Sequence, residues 1–288
     1  MKPKLIAIIG ETASGKSSLA LEVAKKYNGE IINADSWQVY KGMDVGTAKP
    51  SREERVEIPH HLIDIISPGA DFTAAEYKHL AQKAIKDTTK RGKLPILVGG
   101  TGLYIDSVLF NFSFLPPGKE GERERLNSLS IKQLIKEIKQ KEIDLSGIDI
   151  RNKRRLVRLL ETGGKRPERS KDLRQNTLVI GLKIGRSKLR ERIEKRVEIM
   201  FRKGLKKEVG ELAEEYGWNV ESMKGIGYRE LRGYLEGTQS NSETKRKIIK
   251  NTLNLAKRQR TWFKKNPHIN WVQSNEEAYK LVRDFLKG

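Results

Sequence analysis

Apolar residues in this chain of 288 residues fall into short unbroken runs near its start and into helical spacing further on. The runs "LIAIIG" from Leu5, "EIINAD" from Glu30, "HLIDII" from His61 and "KLPILVGG" from Lys93 are too short for helices and rich in β-branched residues. Such runs read as strands buried on both faces, and their alternation with helical stretches predicts parallel pairing with right-handed crossovers. A helix is predicted from about Thr73 to Arg91. Thr73 and Glu76 make a capping box at its start, and Tyr77, Leu80, Ala84 and Ile85 recur on one face. "TLVIGLKI" over 177–184 and "INWVQ" over 269–273 read as further strands, so the sheet is completed late in the chain.

The pattern changes at "FLPPGKEGERERL", where Pro-Pro-Gly signals a boundary. The following "SIKQLIKEIKQ" and "NKRRLVRLLETGG" are helical, the second with Asn152 as N-cap and Gly163 just past its end. The expected class is therefore α/β, a P-loop NTPase-like parallel sheet flanked by helices. Residues 1–116 and 178–288 make the core and 117–177 an inserted helical subdomain. One long amphipathic helix is expected next, its buried stripe marked by Leu189, Ile193, Val197, Met200, Leu205, Val209 and Leu212. Internal repeats and low-complexity tracts are absent from the sequence.

The first strand runs into "GETASGKS", where Gly10, Gly15, Lys16 and Ser17 have P-loop spacing with a strand before and a helix after. Such a loop turns the backbone amides of Gly10, Glu11, Thr12, Ala13, Ser14 and Gly15, and a helix N-terminus, toward one anion. Lys16 adds a point charge and the Ser17 hydroxyl a Mg²⁺ ligand. ATP is the usual guest, but any diphosphate satisfies the geometry. The strand "EIINAD" ends in Asp35, where open α/β sheets bind ligands, which makes Asp35 a candidate base or metal orienter. An Asx cap of the next loop is its other reading. Thr101, after "ILVGG", either turns its hydroxyl to the same cleft or caps the next helix.

Composition adds location to this chemistry. There is no cysteine, which excludes disulfides, thiolate metal sites and thiol nucleophiles. The N-terminus lacks a leader pattern and no apolar run is long enough to span a membrane, so a cytoplasmic protein is expected. The net charge of +21 is uneven: residues 1–117 carry a balance of +2 and the rest +19. A nearly neutral half beside a basic one suits a polyanionic partner, although lysine-rich solvated helices give the same count.

The runs "GETASGKS", "NADSWQVYKGMDVGTAKP", "PHHLIDI", "LVGGTGLY", "KGIGYREL" and "LAKRQRTWF" occur in this order. Together they resemble the bacterial tRNA dimethylallyltransferases, also called tRNA isopentenyltransferases, from about Leu5 to Trp271. The resemblance implies that the loop holds dimethylallyl diphosphate. It also implies transfer of the prenyl unit to N6 of adenosine 37 beside the tRNA anticodon, releasing diphosphate. In that reading Asp35 takes the amine proton, Thr101 contacts the substrate, and Lys16 with a Ser17-bound Mg²⁺ neutralises the leaving group. Arg192 and Arg196, four apart on one helix face, either close over the diphosphate or in part remain surface charges.

A flipped adenosine is the expected binding mode, because the reaction centre is buried. The tRNA contacts are expected at Asp35, Ser36, Trp37, Gln38 and Thr101, at Arg123, and along Arg154, Arg155, Leu156, Val157 and Arg158. Lys224, Gly225, Ile226, Gly227, Tyr228 and Arg229 extend the set. Trp37 either stacks on a base or packs on its own protein; Gly225 and Gly227 either allow close approach or merely form a loop. The last contacts, Lys257, Arg258 and Arg260, lie on what reads as the final helix, which has nine Lys/Arg and no acidic residue between Lys245 and Lys265. Two departures from the family pattern stand out. Glu11 occupies the usual place of proline and is expected to face solvent, and Ser17 replaces a frequent threonine. The cysteine-containing zinc finger of eukaryotic relatives is absent, and a monomer is expected. A small-molecule kinase, a free-nucleotide prenyltransferase and a nucleotide-switched RNA-binding module are the rivals.

Overall fold

The computed structural model describes residues 2–116 and 118–288; Pro117, within the expected boundary signal, and Met1 lie outside the described residues. The chain divides into two compact units, residues 1–110 with 172–288, and residues 111–171. The larger unit begins with β1 (Leu5–Gly10), α1 (Lys16–Lys26), β2 (Gly29–Ala34), α2 (Arg52–Glu57), β3 (His60–His61), α3 (Ala74–Lys90), β4 (Leu94–Gly99) and α4 (Gly102–Leu109). The smaller unit holds α5 (Glu122–Ser128), α6 (Ile131–Gln140) and α7 (Lys153–Glu161). The larger unit resumes with β5 (Thr177–Leu182), α8 (Arg186–Arg202), α9 (Leu205–Tyr216), α10 (Tyr228–Leu235), α11 (Asn241–Phe263), β6 (Ile269–Val272) and α12 (Asn275–Lys287).

The six strands form one sheet in the order β3-β2-β4-β1-β5-β6, and every neighbouring pair is parallel. All six residues of β1 are buried, as a central strand covered on both faces requires. Its alternate side chains serve two cores. Leu5, Ala7 and Ile9 pack with Tyr77, Ala81 and Ile85 of α3 and with Tyr104 and Ile105 of α4. Ile6 and Ile8 pack with Leu19 and Val23 of α1 and with Ala278 and Val282 of α12. A third core joins Val39, Tyr40 and Met43 to Val197 of α8, Val209 of α9, Leu231 of α10 and Ile248 of α11. In the smaller unit Leu134 and Ile138 of α6 meet Leu156, Val157 and Leu160 of α7.

Local signals are realised closely at several helix starts. Thr73 and Glu76 form the capping box of α3, and the Asn152 side chain accepts the Arg155 amide at the start of α7. Three expectations are corrected. "HLIDII" contributes only His61 to the two-residue strand His60–His61, because Leu62 and Asp64 take left-handed φ values of 63° and 56° that end the extended run. The single long helix after β5 is two helices, separated at Gly204, whose φ of 93° breaks the helical path. The basic helix α11 is followed by α12 and so is not the last.

Candidate active site

Three loops meet where adjacent strands β2, β4 and β1 end, the edge at which parallel sheets gather ligands. Gly10 of β1 opens the P-loop, Ala34 of β2 leads to Asp35, and Gly99 of β4 leads to Thr101. Gly99 is needed for this convergence: a Cβ there would lie 2.1 Å from the Ala34 carbonyl oxygen. The Thr101 amide donates to that same carbonyl at 3.1 Å. The Thr101 hydroxyl makes no cap for α4; it accepts from the Ser36 amide at 3.0 Å and donates to the Ser36 hydroxyl at 3.3 Å. The capping reading therefore does not hold, and the hydroxyl ties the end of β4 to the loop after β2. One Asp35 carboxylate oxygen accepts the Trp37 amide at 3.0 Å, an Asx turn that fixes the side chain.

Cations crowd the P-loop. The Lys16 ammonium donates to the Glu11 carbonyl at 3.3 Å. Burial pushes the Lys16 ammonium down to about 8, with Asp35 opposing the shift and Arg196 adding to it. From α8, Arg192 donates to the Ser14 carbonyl at 2.9 Å, and Arg196 to the Thr12 hydroxyl at 3.1 Å and the Thr47 carbonyl at 3.2 Å. Both arginines therefore reach the loop, Arg192 while remaining exposed and Arg196 half-buried. The buried Ser14 hydroxyl has no hydrogen-bond partner among the described residues, which leaves a donor free for a phosphate oxygen.

Two contacts from α11 lay outside the sequence reading. Gln259 accepts the Thr12 amide at 2.8 Å and donates to the Gly100 carbonyl at 3.0 Å, tying the P-loop to the end of β4. Arg260 forms a two-bond ion pair with Glu11. Glu11 is buried at 7 % exposure, which corrects the expectation that it faces solvent: a guanidinium from α11 compensates its charge. Glu208 of α9 was also missed. It accepts the amides of Asp44, Val45 and Gly46 at 2.6–2.9 Å and the Tyr228 hydroxyl at 2.7 Å, so it anchors the loop that carries Thr47.

Asp35, Thr12, Thr47 and Arg196 separate two cavities. One, about 250 Å³, is lined by Lys16, Ser17, Asn33 and Gln38. The other, about 70 Å³, is lined mainly by apolar side chains such as Ile193, Val197, Met200, Ile226 and Leu255. A carboxylate and an anion-binding loop thus share the wall between a polar cleft and a greasy pocket.

The family model described as IPP transferase matches residues 38–266. The chain belongs to the IPP transferase family. It is 41% identical to the tRNA dimethylallyltransferase of Acetivibrio thermocellus, over 94% of this chain and 92% of that protein. The crystal structure of a tRNA delta(2)-isopentenylpyrophosphate transferase from Staphylococcus epidermidis superposes with a TM-score of 0.75 at 38% identity, covering 99% of each chain. A eukaryotic dimethylallyltransferase acting on tRNA matches with a TM-score of 0.82 at 26% identity, covering 99% of this chain and 80% of that one.

Within this IPP transferase fold the expected RNA contacts sort by exposure. Lys257 and Arg258 of α11, Lys224 and Arg229, and Arg154 and Arg155 of α7 are exposed. Leu156 and Val157 are buried in the core of the smaller unit and reach no surface. Arg123 and Arg158 both pair with Glu161, and Arg158 also donates to the Leu115 and Pro116 carbonyls. Tyr228 is 1 % exposed, so it is a core residue. Trp37 packs on its own protein: its ring lies about 3.2 Å from where a Cβ on Gly225 would stand, and 6.2 Å from the Tyr40 ring. Gly225 therefore serves close packing of that ring. Ile226 lines the apolar pocket beside Gly227, which precedes α10. Gln38 donates to the Thr47 carbonyl at 3.2 Å.

Proposed function

We propose that this protein transfers the dimethylallyl group of dimethylallyl diphosphate to N6 of adenosine 37 in the tRNA anticodon loop. The observation that carries the reading is the position of Asp35, on the wall shared by the P-loop cleft and the apolar pocket. An adenine amine is a weak nucleophile, because its lone pair is delocalised into the ring. A carboxylate already held by the Trp37 amide orients that amine and accepts its proton as the N–C bond forms. The allylic C–O bond breaks with its electron pair leaving on the diphosphate. The loop amides, Lys16 and Arg196 meet that charge where it develops.

Among the described residues no three His, Cys, Asp or Glu side chains cluster as metal ligands, so a metal cage built of protein alone does not fit here. The exposed Ser17 hydroxyl at the start of α1 fits a Mg²⁺ that keeps most of its ligands from water and phosphate. When bound, that ion screens the charge of the departing diphosphate. The exposed arginines and lysines of α7 and α11, with Lys224 and Arg229, are the proposed tRNA-backbone contacts, and the 117–177 insertion is proposed to supply part of them. Among the described residues no helix is long and apolar enough to cross a membrane. A cytoplasmic location is proposed from the proposed tRNA substrate, and a monomer is proposed from the family resemblance.

Incubation of unmodified tRNA transcript with dimethylallyl diphosphate and Mg²⁺, followed by mass spectrometry of anticodon-loop fragments, tests the reading. A prenyl mass increment on the fragment containing adenosine 37 is expected. Transfer of phosphate from ATP to a small acceptor, with no prenylated RNA, would overturn it.

A further inference from the structure

Two consecutive residues of α11 act on the P-loop in different ways. Gln259 satisfies backbone groups, whereas Arg260 meets a charge: its guanidinium pairs with both carboxylate oxygens of Glu11, the second at 3.0 Å, and also reaches the Ile184 carbonyl at 3.5 Å. The pair is withdrawn from water, the Glu11 side chain at 9% exposure and Arg260 at 27%. A carboxylate one residue into an anion-binding loop repels the phosphates that the loop amides attract, and at low dielectric that repulsion is long-ranged. Arg260 cancels it. The converse matters equally. A guanidinium fork suits phosphate oxygens, and an unpaired one here would add to the cations of Lys16, Arg192 and Arg196 that already reach the loop.

We propose that Glu11 and Arg260 are a matched pair that sets how tightly the loop holds diphosphate: Arg260 masks the carboxylate, and Glu11 keeps Arg260 from gripping the leaving group. Arg260 is then a positioning residue of the diphosphate site, not a tRNA-backbone contact. The leaving group must depart after each turnover, so an added cation on it slows release, whereas an unmasked carboxylate weakens capture of the donor. This inference rests on the reading that the loop holds a diphosphate.

The test is calorimetric titration of the full chain with inorganic diphosphate and Mg²⁺, for wild type, Glu11→Gln, Arg260→Gln and the double variant. Opposite signs are expected. Arg260→Gln weakens diphosphate binding about tenfold and Glu11→Gln strengthens it by about threefold or more, while the double variant returns close to wild type, as paired charges of opposite sense predict. Filter binding of tRNA by Arg260→Gln keeps the wild-type salt slope. If both single variants weaken diphosphate binding, or neither changes it, the proposal is overturned. It is equally overturned if Arg260→Gln lowers the tRNA salt slope by about one, the signature of a lost phosphate contact, with diphosphate binding unmoved. Should Arg260→Gln not fold, the sign of the Glu11→Gln effect decides. The titration uses neither prenyl donor nor tRNA, so its outcome is separate from that of the prenylation assay.

Discussion

Replacing Asp35 by Asn removes the proton acceptor while sparing the local backbone. The Asn side-chain oxygen still accepts the Trp37 amide now held at 3.0 Å, and the side chain keeps its size, so the Asx turn and the loop behind it persist. What is lost is a negative charge that faces two cations. Removing a general base costs about 10²–10⁴-fold in the chemical step, or about 3–5 kcal/mol of transition-state stabilisation. A second effect follows from Lys16. Burial already holds its ammonium at about 8, and Asp35 is the group that resists further depression. Without Asp35 the ammonium loses its proton at lower pH, so donor capture by the variant falls off earlier as pH rises. Single-turnover prenyl transfer, with enzyme and tRNA saturating and the donor labelled, isolates the chemical step; filter binding reports tRNA affinity. The expected result is a rate lowered by at least about a hundredfold with tRNA affinity within threefold of wild type. A variant within tenfold of the wild-type rate, or one that no longer binds tRNA, would refute the assignment of Asp35 as base.

Three further outcomes follow from the geometry. Because burial holds the Lys16 ammonium at about 8, diphosphate binding at pH 8.5 should draw a proton onto it, read as a buffer-dependent heat; affinity should decline as pH rises through 8. Equal heats in buffers of different ionisation enthalpy would contradict this. Burial of Glu30 favours its neutral form, but hydrogen bonds from Arg91, His61 and Thr88 prevail and hold the carboxyl at about 2, below its ordinary 4.5. The folded state therefore binds its proton more weakly. Its contribution, at most about 3 kcal/mol, is complete above pH 4.5 and lost as pH falls toward 2, so Glu30→Gln should flatten the acid limb of a denaturation profile. Gly99→Ala puts a methyl group 2.1 Å from the Ala34 carbonyl oxygen, so it should force β2 from β4 and abolish transfer, with a fall in melting temperature measurable by calorimetry.

Much of this was legible because local chemistry dictated it. A central parallel strand must be apolar on both faces, so the β1 and β4 runs declared themselves, and the glycine spacing after β1 specified an anion loop. Asp35 and Thr101 were legible for the same reason: each follows a strand end. What the sequence concealed depends on pairing over distance. Nothing near Glu11 announces Arg260, 249 positions later, and nothing near Gly46 announces Glu208. Apolar spacing ran straight through Gly204, since the same stripe serves both α8 and α9. "HLIDII" has strand composition, yet Asp64 is committed to Lys49 and Arg55, and the left-handed turns that bring it there cut the strand short.

The bridge made by Gln259 has a consequence for biosynthesis. The side chain that receives the Thr12 amide lies 247 residues further along the chain, so it is translated long after the loop. A nascent polypeptide therefore carries its P-loop untied from the end of β4 until α11 has been made. Truncated products that stop short of this segment should accumulate as inert or degraded fragments rather than as half-active enzyme.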